Sequence, residues 1–463
     1  MLIHPDRLFP AEPGTRRIAR TLYDLVRSLP IISPHGHTQA AWFAGNRPFS
    51  DPARLFVQPD HYITRMLYSQ GVSLDDLEIG RPQLKDPRKL WRIFASHYYL
   101  FRGTPTRLWL DFAFQELFGF TERLSEKTAD WYFDVISDKL QTPEFLPRAL
   151  YDRFNLEVLA TTDSPLDSLA DHKAIRESNW KARIVPTFRP DPVVDPEIEG
   201  FADNVAKFGQ QAGEDTSTWA GYLNALRKTR LRFRELGCTA TDHGHRTART
   251  ANLSTAESAK LFRHVLTGDT KAYPPELFRA QMLTEMARMS LEDGLVMQVH
   301  PGSARNHNRK LYEGYGRDLG ADIPTPTNYV EALRPLLDQF GNERNLTIIL
   351  FTLDESAYSR ELAPLAGHYP CLRLGPPWWF HDSPEGMMRF REQVTETAGF
   401  YNMAGFNDDT RAFLSIPARH DMARRMDCAF LAKLVAEHRL DEEEALEVAR
   451  DLAYALVKKA YRL

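Results

Sequence analysis

From about residue 155 onward the chain alternates short apolar runs with longer segments whose apolar residues recur every three or four positions. The runs are 157–161 (EVLAT), 184–188 (IVPTF), 238–241 (CTAT), 295–299 (LVMQV), 346–352 (LTIILFT), 371–374 (CLRL) and 401–406 (YNMAGF). An eighth, 30–34 (PIISP), stands near the N-terminus. Runs of this length, rich in β-branched residues and followed by Gly, Pro, Asp or His, predict strands. Between them, Phe278, Met282, Met286 and Met289 mark one face of a helix. Val330, Leu333, Leu337 and Phe340 mark another, with Gly341 as its left-handed C-terminal residue and Pro335 as an internal kink. Thr142-Pro143-Glu144 reads as a helix N-cap, a first-turn proline and an early acid. The segment 441–461 reads as one long helix, acids first and lysines last, in agreement with the helix dipole.

Strands that alternate with helices predict parallel βαβ units, and eight of them predict a closed (β/α)₈ barrel, which typically takes about 250 residues. The surplus lies mainly in one place. Residues 38–155 far exceed an ordinary βα loop of about 2–6 residues and are rich in aromatics and leucine. The expected organisation is an N-terminal helix and first strand over 1–37, a mostly helical insertion over the barrel mouth at 38–155, and the rest of the barrel with C-terminal helices over 156–463.

Composition narrows the class. With 463 residues, 43 % of them hydrophobic, the chain can bury a large core. Its net charge of −4 lacks the basic excess of a typical nucleic-acid binder. Cys238, Cys371 and Cys428 are too widely spaced for a CxxC motif and fit a reducing, cytoplasmic compartment. The opening MLIHPDRLFP has no apolar signal core, and the apolar stretch at 346–351 is too short to span a bilayer. The expectation is a soluble protein with no nucleic-acid and no membrane partner.

In a βα-barrel the C-terminal ends of the strands ring one face, and the active site lies there. His35, His37, Asp163, Arg189, Asp242, His243, His300, Asp409 and Arg411 all follow predicted strands. His35-Gly36-His37 is the sharpest local signal, because residues i and i+2 of an extended strand share a face and can reach one cation. Alone, such a pair is more often two polar residues at a strand end. His300 after the fifth strand and an acid after the eighth make a set of three imidazoles and a carboxylate, which suits a divalent metal. Arg189, Arg305 and Arg411 lie in loops aimed at the same mouth. Their planar forks imply an acidic substrate or an anionic intermediate, against the alternative of structural pairing with Asp163, Asp242 or Asp354. Trp378-Trp379-Phe380 could form an apolar wall beside a sugar or belong to the core.

These residues together resemble the uronate isomerases, a branch of the amidohydrolase superfamily. The resemblance rests on Pro30 with the following Ile-Ile-Ser-Pro-His-Gly-His, on Asn46-Arg47-Pro48-Phe49, Asp60-His61-Tyr62, Thr161-Thr162-Asp163-Ser164-Pro165, Phe188-Arg189-Pro190-Asp191, Asp242-His243-Gly244, Gln298-Val299-His300, Arg305-Asn306, Trp378-Trp379-Phe380 and Asp409-Thr410-Arg411. It runs in order over nearly the whole chain. The chain departs from the family's pattern at Ser33-Pro34, Thr38 and Asp111, which bears on the preferred sugar more than on the fold.

The resemblance implies an isomerase that interconverts D-glucuronate with D-fructuronate and D-galacturonate with D-tagaturonate. It implies one divalent metal, expected to be zinc, on His35, His37, His300 and Asp409. Arg189, Arg305 and Arg411 would hold substrate, with Trp378, Trp379, Asp242 and His243 lining its site. A homo-oligomer acting on a small uronate is expected. Aldose–ketose exchange moves a proton between C2 and C1 and adjusts one between O1 and O2. Asp409 is the candidate base, and Tyr62 or His61 the second proton carrier. The alternative is a metal-dependent amidohydrolase acting on a sugar-acid ester, lactone or amide. Against it, the sixth strand ends without a histidine and the fourth without a lysine. A barrel that only binds sugar acids would have no use for a base.

Overall fold

The computed structural model describes residues 1–80, 85–268 and 273–463. Seven of the expected runs form strands: β1 (Ile31–Ser33), β2 (Leu156–Ala160), β3 (Arg183–Val185), β4 (Ala240–His243), β5 (Val296–Val299), β6 (Ile348–Leu350) and β7 (Leu372–Leu374). They pair in parallel and in chain order, β1 to β3 as one ladder and β4 to β7 as another. A bridge between Phe188 and Thr241 joins the two ladders.

The eighth run, 401–406, is not a named strand. It is reduced to one parallel bridge, Met403 to Leu374, because Gly405 takes a left-handed φ of 76° and breaks the extension. The ring is completed further along, where Asp409 N donates to His35 O at 3.2 Å and His37 N to Thr410 O at 2.9 Å. The (β/α)₈ closure is thus made at the mouth, by the residues that form the site.

Strand alternation sorts the side chains into two layers. Ile32, Val158, Ala160, Ala240, Val296 and Ile349 face the barrel interior, while Met297, Val299, Ile348, Leu350 and Leu372 pack against the surrounding helices. The C-terminal helical segment runs from Glu442 to Tyr461 with a π-helical turn at Asp451–Ala455. Its Val457, Ala460 and Tyr461 join the interior cluster, and Lys458 pairs with Glu157 at the start of β2. This helix therefore closes the floor opposite the mouth.

Between β1 and β2 the described residues are mostly helical, including Ala40–Gly45, His61–Ser69, Pro87–Ser96, Pro105–Glu116, Ala129–Leu140 and Pro147–Arg153. Their aromatic and leucine side chains share one apolar cluster with Ile31, Leu156, Leu159, Phe413 and Ile416 of the barrel body. The insertion thus has no core separate from the barrel.

Several local expectations need correction. Phe278, Met282, Met286 and Met289 are buried on the helix Pro275–Asp293 as expected, but on the helix Val330–Phe340 Val330 is exposed and Leu336 takes its place. Gly341 is not left-handed: its φ is −58°. A glycine is needed there for space, since a Cβ would lie 2.6 Å from Leu337 O and 2.7 Å from the Tyr369 ring. Thr142 precedes only a short 3-10 turn, and its hydroxyl donates backward to Lys139 O. The three cysteines are buried and free. Among the described residues no helix is long and apolar enough to cross a membrane.

Candidate active site

The strand ends deliver their polar groups into a cavity of about 860 Å³ at the mouth. β1 runs directly into His35 and His37. Asp409 reaches them from the eighth position, its Oδ1 3.1 Å from His37 Nε2 and 3.4 Å from His35 Nε2. His300 follows β5 and stacks on His35 with centroids 4.9 Å apart; on its other side lies Phe351, after β6, at 3.9 Å. A phenyl ring, not a histidine, thus follows β6 beside His300.

Among the described residues, two clusters have ligand atoms close enough to share an ion: His35, His37 and Asp409, and His35, Asp242 and His300. His35 belongs to both. His300 Nε2, His35 Nδ1 and Asp409 Oδ1 are buried and have no hydrogen-bond partner in the protein. The Nε2 atoms of His35 and His37 converging on the Asp409 carboxylate, with His300, its Nε2 unpartnered, stacked on His35, make a donor set that a divalent cation satisfies, so these residues fit a metal.

Electrostatics match this arrangement. Burial would raise the Asp409 carboxyl, but the imidazoles of His35 and His37 hold it well below the usual carboxylate range. Burial would lower His35, but Asp242 and Asp409 hold it above its ordinary value. Burial keeps His37 and His300 below theirs.

The expected substrate groups divide into two kinds. Arg189 is locked: Nε donates to Asp191 Oδ2 at 2.8 Å and Nη1 lies 3.1 Å from Asp242 Oδ2. Gly244 makes this possible, because a Cβ there would lie 2.3 Å from Arg189 Nη2. Arg305 and Arg411 are looser, 3.4 Å from Asp322 and 3.5 Å from Asp318, and each side chain is more than a third exposed. Arg189 is thus paired through Asp242 and Asp191 and at the same time lines the cavity. The Arg305 guanidinium also covers the Trp379 ring at 4.8 Å. Trp378 and Trp379 line the cavity, Trp378 edge-on to His300 at 4.7 Å.

The insertion contributes the helix His61–Ser69, capped by the Asp60 carboxylate. Its first residues, His61 and Tyr62, line the cavity and stack on each other at 4.6 Å. Gly320 seats the loop after β5 against this helix, since a Cβ would meet His61 O at 2.6 Å. Burial drives His61 down to about 3, so its imidazole is neutral. Burial raises the Tyr62 phenol, so it keeps its proton, which it donates to Trp379 O at 3.2 Å.

His243 departs from expectation. It is fully buried but does not line the cavity. On β4 it alternates with Asp242, so it shares the outer face with Thr241, whose hydroxyl lies 2.9 Å from His243 Nε2. Conversely, the cavity includes Arg317, Asp318, Asp322 and Arg419, which the sequence reading passed over. The first three lie in the loop held by the short antiparallel ribbon Ser303–Ala304 with Ile323–Pro324, and no apolar period marks that segment. Arg419 sits one turn into the helix Ile416–Ala436 and looks like any helical arginine. Four cavity residues have left-handed backbones: Asp409 (φ 39°), Trp379 (53°), Asn306 (53°) and Asp318 (62°). Such strain in non-glycine residues concentrates at functional sites.

Comparison with known proteins agrees with this geometry. The glucuronate isomerase family model matches residues 14–461. A uronate isomerase of Phenylobacterium zucineum is 64 % identical over 100 % of this chain and 97 % of its own length. The structure of a Caulobacter crescentus glucuronate isomerase superposes with a TM-score of 0.98 at 61 % identity, covering 99 % of this chain and 97 % of that one. That of a Thermotoga maritima uronate isomerase gives 0.93 at 30 % identity, with both chains fully covered. A match that extends over the whole barrel and its insertion, at this identity, means that the chain belongs to the glucuronate isomerase family.

Proposed function

We propose that this enzyme isomerises aldose and ketose hexuronates, D-glucuronate with D-fructuronate and D-galacturonate with D-tagaturonate, through an enediolate. The observation that carries the reading is one cavity in which an ionised carboxylate, Asp409, and a protonated phenol, Tyr62, meet two loosely paired arginines, Arg305 and Arg411.

The open-chain sugar acid binds with its carboxylate answered by arginine charge, and Trp378 and Trp379 exclude water from one side. Asp409 takes the proton from C2 and returns it to C1. Tyr62, kept protonated by burial, rotates its hydroxyl hydrogen from Trp379 O toward the developing enediolate oxygen, and neutral His61 beside it can carry the exchange between O1 and O2. Asp242, ion-paired with Arg189, orients His300.

His35, His37, His300 and Asp409 would hold one divalent ion, zinc by the nitrogen-rich character of the set. Bound there, it supplies polarisation and orientation of substrate oxygens. The buried, unpaired cysteines support a reducing, cytoplasmic setting. A homo-oligomer is the expected assembly, which light scattering decides.

Incubation of the purified protein with D-glucuronate and D-galacturonate in deuterated water tests the function. Ketose formation with deuterium at the transferred position is expected. Wild-type protein that leaves both uronates unchanged while hydrolysing a uronate ester or lactone would overturn it.

A further inference from the structure

We propose that Arg419 is a positioning residue that holds Tyr62 and Asp409 in register with each other. The inference rests on the isomerase reading above, in which these two groups move the protons.

Tyr62 and Asp409 come from different bodies of the chain, the insertion and the eighth barrel position. Both need a fixed separation from one substrate carbon. Arg419, 3 % exposed, touches the supports of both. Toward Asp409, its Nη1 donates to Asp408 O at 3.2 Å, the peptide that carries the left-handed Asp409. Its Nε donates to Ser415 Oγ at 3.3 Å, and Ser415 Oγ lies 3.1 Å from Thr410 Oγ1 on the far side of Asp409. Toward Tyr62, Arg419 Nη1 donates to Asp382 Oδ2 at 2.7 Å. Asp382 N donates to Trp379 O, the same carbonyl that accepts the Tyr62 hydroxyl. The guanidinium also lies 3.6 Å from the centroid of the Trp109 ring, whose edge meets Tyr62 at 6.0 Å.

One planar cation therefore contacts the insertion through Trp109, the loop after β7 through Asp382, and the loop carrying Asp409 through Asp408. Arginine suits this task because its fork is rigid and its face stacks, whereas lysine offers a point charge on a flexible stem. A plain structural ion pair would need only Asp382. The extra contacts converge on the supports of two proton-handling groups. Displacement of a reacting group by about 1 Å can cost on the order of 10²-fold in rate.

The test uses full-length Arg419→Met, Arg419→Lys and Asp382→Asn proteins, each saturated with zinc and assayed on D-glucuronate. Expected are folded Arg419 variants whose kcat falls by roughly 10²-fold while KM stays within about threefold, since neither Arg305 nor Arg411 is disturbed. Lysine should restore thermal stability but not kcat. Zinc retention against a chelator should also weaken in both Arg419 variants, because the Asp409 peptide loses its anchor. That readout does not depend on turnover, so it still judges the inference if wild-type protein fails to isomerise uronates. A folded Arg419→Lys or Arg419→Met protein with kcat and zinc retention near wild type overturns the proposal. Should both Arg419 variants fail to fold, Asp382→Asn and Trp109→Leu decide by the same two readouts, since they free the guanidinium from the β7 loop and from the insertion in turn.

Discussion

Asp242 Oδ1 lies 2.7 Å from Nδ1 of His300, while its Oδ2 lies 3.1 Å from Nη1 of Arg189. The carboxylate assigns the proton to Nδ1 and leaves Nε2, buried and without a protein partner, as a lone pair directed into the site. Such carboxylate–histidine contacts orient metal-binding imidazoles, and their loss typically costs about 10–100-fold in metal affinity. Asp242→Asn should therefore retain the fold but lose zinc to a chelator about 10–100-fold more readily. His37→Ala should lose it outright. Metal analysis of protein purified without chelator checks both; wild-type protein that neither carries nor takes up zinc would remove the metal assignment.

Asp409→Asn keeps the shape of the side chain and removes the proton acceptor. Turnover should fall by about 10²–10⁴-fold, the usual contribution of a general base. Uronate should still bind through the arginines, and because Asp409 also belongs to the metal set, a binding isotherm together with zinc analysis of the variant separates this result from loss of the site. If Asp409→Asn is nearly as active as wild type, Tyr62 or His61 becomes the base.

Much of this site was legible in the sequence because barrel topology turns strand order into spatial proximity. Once His35, His37, His300 and Asp409 are placed at strand ends, the fold brings them together without further information. What stayed hidden depends on contacts rather than on periodicity. The eighth strand was legible as an apolar run, but the left-handed Gly405 that ends it is visible only in the backbone. His243 stood in a motif beside Asp242, and only the one-residue alternation of β4 turns it away from the cavity. Arg189 stands in a motif with Asp191, but its second partner, Asp242, comes from another strand and becomes visible only in the folded chain. Arg419 carries no signal in its helix, because its importance lies in partners from three distant segments.

Substrate charge is the next consequence. Arg305 and Arg411 are held only weakly by Asp322 and Asp318, so both can turn to a bound carboxylate. Losing a buried charge-assisted contact costs on the order of 2–5 kcal/mol, so Arg411→Met should lower kcat/KM for glucuronate well over tenfold. Neutral hexoses should be correspondingly poor substrates of the wild type. Comparable kcat/KM for glucose and glucuronate would refute an anionic substrate.

Asp163 gives a prediction about stability and pH. It follows β2, its Oδ2 accepts from Thr161 Oγ1 at 2.6 Å, and the same hydroxyl lies 2.8 Å from His172 Nε2. Burial, helped by Asp167 and opposed by Thr161, pushes the Asp163 carboxyl up to about 7 from an ordinary 3.8. Burial lowers His172 to about 4, so it stays neutral above pH 5.5 and does not confuse the titration. Between its unfolded and folded values, Asp163 holds its proton in the native state and loses it on unfolding. The native state then binds more protons, and stability falls as pH rises through that window. Above about 7 the cost of a buried, weakly paired carboxylate is fully present. Asp163→Asn removes this titration while keeping the size and an acceptor oxygen. Its stability relative to wild type should therefore improve between pH 5.5 and pH 8.5, by on the order of 1–3 kcal/mol. Urea unfolding of both proteins at the two pH values measures the difference, and every other titrating group cancels in it. A gap between variant and wild type that stays constant with pH would mean that Asp163 is ionised throughout, held by its partners rather than opposed by burial.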